Sequence, residues 1–228
     1  MNDTQRSRYE ARGRFCQLFT DFIITVLTTI DRRQGSAESV ALALEAELER
    51  IRHFCLSNRF PAAEVDEALF GVCAWADEML MNAVWPEVAE QWVKVLLQQT
   101  FFKTNLAGEE FFVRLERLSH SDSLAYDVYA LCLANGFKGK FVQNLAMDDL
   151  DHLRQETLSR SLMLSGLNDA NGQTFASINK LVQPKSTPQS YWRAAVIVIS
   201  TLLALKVLDW ILQGVLSYRV YALIEGWK

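Results

Sequence analysis

Apolar side chains recur at spacings of three and four, the period of an amphipathic helix, along most of the chain before position 165. Phe15, Leu18, Phe19, Phe22, Ile23, Val26, Leu27 and Ile30 form the first stripe. Gln17 and Asp21 interrupt it and no small-x-small site follows, so it reads as a core helix and not as an export signal. It should stop at Arg32-Arg33-Gln34-Gly35, where basic residues and a glycine suit a helix C-terminus. Ser36 is placed to cap a second helix with inner face Val40, Leu44, Leu48, Ile51 and Cys55. Pro61 fits the first position of a third. Its face Val65, Leu69, Val72, Ala76, Met79, Ala83 is joined by a second one, Phe70, Cys73, Leu80, which makes this helix central.

Pro86 breaks the pattern, and a fourth helix follows through Trp92, Val95, Leu96 and Gln99. Asn105 is expected to cap a fifth, with Glu109 and Glu110 near its positive end and Phe111, Phe112, Leu115, Leu118 inside. Ser121 or Asp122 opens a sixth, closed by Asn135-Gly136. A seventh begins at Asp148-Asp149 and carries Leu150, Leu153, Leu158 and Leu162. Nothing alternates with period two, so this part of the chain is all-α. Residues 165–190 turn to Asn, Gly, Gln, Ser, Thr and Pro and read as a linker, with a short helix around Phe175 to Leu181.

The twelve residues Ala194 to Leu205 carry no charge. A bilayer core needs roughly 20 helical residues. The register from Tyr191-Trp192 to Trp210 supplies that length with aromatic anchors at both ends. It puts Asp209 at the far interface and Lys206 one turn inside, from where its stem can snorkel outward. A charge at the centre would cost ~3 kcal/mol, which excludes a register centred on Lys206. The alternative is a buried core helix; the position after a linker and near the chain end favours a tail anchor. Lys180, Lys185 and Arg193 before the span place its N-terminal side in the cytosol. The expected layout is 1–164 helical domain, 165–190 linker, 191–211 transmembrane helix and 212–228 short periplasmic tail.

The formal charge of −4 speaks against nucleic acid as the partner. Arg6, Arg8, Arg12 and Arg14 read as a solvated lead-in to the first helix. Cys16, Cys55, Cys73 and Cys132 form no C-x-x-C pair and read as buried free thiols of a reducing compartment. His53, His120 and His152 are scattered. Asp149 and His152 share a face at i, i+3, yet lack the second pair and extra carboxylates of a di-iron site. With no phosphate-binding glycine loop and no G-x-S-x-G, neither catalytic, metal nor cofactor residues are expected. Asp77-Glu78 is the exception that asks for an account, because the pair sits among Cys73, Trp75, Leu80 and Met81. Each acid bonds an indole, an arginine or a helix N-terminus, or faces a partner, or does chemistry. A membrane-anchored hydrolase using these acids is the competing class, and it lacks a nucleophile–base pair around them.

Three stretches carry a family resemblance. Ala74-Trp75-Ala76-Asp77-Glu78-Met79-Leu80-Met81-Asn82 with Trp85-Pro86 resembles the acid pair, asparagine and tryptophan of the DotU/TssL (IcmH) family. Phe102-Lys103-Thr104-Asn105-Leu106-Ala107-Gly108-Glu109-Glu110-Phe111-Phe112 with Arg114-Leu115 is similar to that family's F-x-T-N-L-A-G-E-x-F-F-x-R-L run, with Lys103 a mild departure. Asp127-Val128-Tyr129-Ala130-Leu131-Cys132-Leu133 with Gly136-Phe137-Lys138-Gly139-Lys140-Phe141 looks like its third signature.

The resemblance implies two small helical bundles forming a hook-like cytosolic domain with a cleft, plus the C-terminal membrane helix. It implies an assembly subunit of a type VI secretion system inner-membrane complex, linking the membrane core to the cytosolic baseplate. The other readings are a stabilising subunit of the related type IVB system and a generic tail-anchored adaptor. Implied partners are a TssM/IcmF-like inner-membrane protein, baseplate subunits, the lipid bilayer and a second copy through the membrane helix. Relatives with a peptidoglycan-binding domain carry it at the C-terminus; a chain ending at Lys228 is expected to leave wall anchoring to a partner. Asp77, Glu78, Asn82, Lys138 and Lys140 are the partner-binding candidates, with Glu78 expected to be the more exposed, partner-facing acid and Asp77 the structural one.

Overall fold

A computed structural model of the protein describes residues 3–141 and 147–165. The described residues hold eight α-helices and no strand. They are α1 (Asp3–Arg32), α2 (Ala37–Ser57), α3 (Ala62–Met81), α4 (Pro86–Trp92), α5 (Leu97–Phe102), α6 (Ala107–Ser119), α7 (Ala125–Ala134) and α8 (Met147–Leu164). The expected linker, the span 191–211 with Trp192, Lys206, Asp209 and Trp210, and the tail 212–228 lie outside the described residues. No helix among the described residues is long and apolar enough to cross a membrane.

The stripes read from the sequence mark the buried faces, except that Leu27 of α1 is exposed because no helix packs over it. Phe15, Phe19, Phe22, Ile23 and Val26 of α1 and Val40, Leu44, Leu48, Ile51 and Cys55 of α2 are buried. Ser36 closes a capping box with Ser39, which sets where α2 begins. Helix α3 is apolar on more than one face because α1, α2, α4, α5, α6 and α7 all lie against it. The two bundles that the resemblance implies therefore share one continuous buried cluster, from Phe15 to Leu150.

Several helix starts differ from expectation, each for a tertiary reason. Pro61 is the residue before α3, and its carbonyl accepts from the Val65 N–H at 3.1 Å. The single fourth helix is two, α4 and α5, because the N–H groups of Leu97 and Gln98 turn to Asp77. Asn105 does not cap α6: it is exposed, the Thr104 hydroxyl accepts from Leu106 N–H, and Gln98 Oε1 accepts from Ala107 N–H. Neither Ser121 nor Asp122 starts α7. Glu64 does so from α3, accepting at one carboxylate oxygen from the Ala125 N–H (2.9 Å) and the Ser123 hydroxyl (2.6 Å). A distant carboxylate thus supplies the N-terminal cap that no local side chain provides.

Arg12 is also unlike the solvated residue expected. It is 2% exposed, and its guanidinium bonds Asp127, Asp122 (2.7 Å) and the Ser123 carbonyl (2.6 Å). Arg8 pairs with Asp122 from outside. Asp127, buried as well, accepts from the Ser161 hydroxyl of α8 at 2.6 Å. This charge cluster ties the start of α1 and the end of α8 to the start of α7.

Candidate functional site

Consecutive residues on a helix point about 100° apart, so Asp77 and Glu78 cannot serve one neighbour. They serve two. Asp77 is fully buried and accepts from Trp92 Nε1, Leu97 N–H and Gln98 N–H, each at 2.9 Å. The same Gln98 passes the connection on to α6 through Ala107. Burial disfavours the charge and the three donors favour it; burial wins and the carboxyl is pushed up to about 6. Asp77 thus serves the packing of α4 and α5 against α3.

Glu78 is the more exposed acid of the two, yet it is not free. It is half-buried, and its two oxygens accept from Lys138 N–H at 3.0 Å and Gly139 N–H at 2.7 Å. Burial raises its pKa, against the pull of those donors and of the Lys138 charge. The loop it holds begins at Gly136 (φ +92°), which closes α7 in a conformation that suits glycine. At Gly139 (φ +48°) an added Cβ would stand 2.4 Å from the Gly108 carbonyl oxygen. Lys140 N–H donates to that same oxygen at 3.1 Å. The glycines of the second and third signatures therefore touch each other.

Around this point the remaining motif residues fall into place. Phe137 is buried against Phe111, with ring centroids 4.2 Å apart, and Phe112 stacks beside it. Lys138 and Lys140 are exposed, and Lys140 Nζ lies 5.3 Å over the Phe112 ring. Asn82 is exposed and donates to the Glu78 carbonyl at 2.8 Å, which finishes α3. Trp75 Nε1 donates to the Asn135 carbonyl at 3.1 Å, and Trp85 is buried at the start of α4. Arg114 stacks 3.6 Å over Phe70 and pairs with Glu67 and Glu110; Glu109 is exposed in the first turn of α6.

The candidates thus divide. Glu78, Lys138, Lys140 and Gly139 come together, with Asn82 on the Glu78 turn. Asp77 and the aromatic and glycine positions support them. Sequence reasoning missed Arg12, Glu64 and Gln98; the signal available was a polar residue amid apolar stripe positions, as with Arg12 three before Phe15. Both acids of the pair accept from N–H donors of the domain itself. Among the described residues no group of His, Cys, Asp or Glu could hold a metal ion.

With three signatures joined around one glycine contact, comparison with known proteins becomes decisive. Residues 15–215 match the family described as "Type VI secretion system protein DotU". The chain belongs to the DotU family. Its fold resembles the cytoplasmic domain of TssL from Acinetobacter baumannii, with a TM-score of 0.60 and 23% identity. That likeness covers 66% of this chain and 98% of the other. None of the curated proteins compared matches the chain. In this DotU chain the acid pair on α3 gathers the α4–α5 break on one side and the loop after α7 on the other.

Proposed function

We propose that the chain is an assembly subunit of a type VI secretion inner-membrane complex. Its helical domain lies in the cytosol, one span over 191–211 anchors it, and it links the membrane core to the cytosolic baseplate. The supporting observation is the fixed loop Gly136–Lys140, which presents Lys138 and Lys140 outward while Glu78 and Gly108 hold its backbone. A basic surface held without the entropy of a free loop suits an acidic patch on another subunit, because binding then orders little new backbone. The chemistry of the acid pair supports scaffolding over catalysis, since its oxygens are taken by N–H groups of the domain itself.

The test is a pull-down from membranes in mild detergent. A TssM/IcmF-like protein and baseplate subunits should co-purify with the native chain. Lys138→Glu with Lys140→Glu should lose baseplate proteins, keep the helical circular-dichroism signal and keep the membrane partner. Recovery of neither class from native membranes would refute the assignment.

A further inference from the structure

Helix α8 is held in a way unlike the helices before it. It lies against α7, and Leu150 is its one fully buried apolar side chain among the described residues. Leu153 and Leu164 are only partly covered. Polar contacts complete the seam. Arg154 Nε donates to the Leu133 carbonyl at 2.9 Å, and the Ser161 hydroxyl donates to Asp127 at 2.6 Å. The Arg160 guanidinium stands 5.7 Å over the Tyr126 ring with its Nε buried and unpartnered.

The Asp127 carboxylate and the Leu133 carbonyl, which accept from α8, both keep a partner when it leaves. Asp127 remains paired with Arg12, so no bare charge is left in the core. The Leu133 carbonyl still accepts from Gly136 N–H at 3.1 Å. Arg160 Nε gains water that it lacks when docked. Meanwhile α3, the centre of the core, is surrounded by α1, α2 and α4 to α7 without α8.

We propose that α8 is a releasable strap, which leaves α7 as a unit in an equilibrium separate from the unfolding of α1 to α7. Locally opening units are those with little apolar burial and self-sufficient neighbours, and α8 meets both conditions. Residues 166–228 follow it directly, so tension from that side arrives first at the Ser161–Asp127 end. The strap therefore couples a pull on the following segment to exposure of the α7 face that carries Tyr126 and Ala130. This concerns the helical domain and does not require 191–211 to be a membrane span.

Hydrogen exchange on the full chain in detergent micelles tests it. Amides of residues 151–162 should exchange ~10-fold or more faster than those of α3 and α7, as expected for sub-global opening. Ser161→Ala should speed α8 exchange by a further ~10-fold and leave α3 unchanged, because it removes one bond to a charged group. Ala130 is buried one turn after Tyr126, on the same face of α7. In Ala130→Cys the new thiol should react with a maleimide while Cys73 and Cys132 do not. Equal protection of α8 and α3, or equal acceleration of both by Ser161→Ala, would overturn the proposal. The exchange result alone decides if Ala130→Cys fails to fold.

Discussion

Asp77 shows how one side chain can set a helix start 20 residues away, that of α5. Asp77→Ala leaves the Trp92, Leu97 and Gln98 donors buried without an acceptor, at a cost of about 1–3 kcal/mol. The melting temperature should fall by several degrees in a domain of this size. The pH dependence has a definite sign. With its folded-state pKa raised from 3.8 to about 6, Asp77 contributes stability that is complete below its ordinary pKa and is lost as pH rises through about 6. The melting temperature of the native chain minus that of Asp77→Asn should therefore fall between pH 4 and pH 6.5; a rise over that window would contradict the burial argument. At Glu78 the consequence is local. Glu78→Ala should speed amide exchange at Lys138 and Gly139 and weaken partner capture, while α1 and α2 keep their protection. Gly139→Ala should destabilise by about 1–3 kcal/mol, through a left-handed φ and a clash with Gly108.

Between elements, the decisive contacts are charges that reach across the sequence. Glu64 caps α7 from α3, and Arg12 joins α1 to the same helix end. Arg12→Met strands Asp127 in the core and should cost about 3–5 kcal/mol in urea unfolding. Adding Asp127→Leu should restore most of that loss, because replacing both charges removes the uncompensated one. A double variant as unstable as the single would show that the pair acts through geometry and not through charge. The four cysteines lie within helices, and burial raises the pKa of each, Cys16 to about 12 and Cys55 to about 11. Alkylation of the folded protein at pH 7.5 should accordingly be slow at all four and become rapid in denaturant.

For the whole molecule, the prediction concerns independence of the parts. The core closes among α1 to α8 within the described residues, so a fragment of residues 1–183 should be soluble and helical without the apolar segment. Strand-dominated circular dichroism or intractable aggregation would contradict this. A periplasm-active reporter fused after Lys228 should be active and one fused after Gln183 in a truncated chain inactive. The opposite pattern would reverse the proposed topology.

The all-α class, the inner faces of α1, α2, α3 and α6, the start of α2 and the ends of α1 and α7 were legible in the sequence. Periodicity, a Ser cap and the Gly35 and Gly136 stops are local signals, and each acts within a turn of where it is written. The three signatures were legible as well, though only as separate strings. Their union was not: that Gly139 lies on Gly108, or that Glu78 serves the loop 60 residues on, depends on how helices pack. Asn105 and Ser121 had the right chemistry for caps and were displaced by Gln98 and Glu64, whose partners come from other helices. Arg12 looked solvated because its acids lie more than 100 residues away. Short-range geometry can be read from neighbours in the chain, whereas the fate of a buried charge is decided by whichever distant element folds against it.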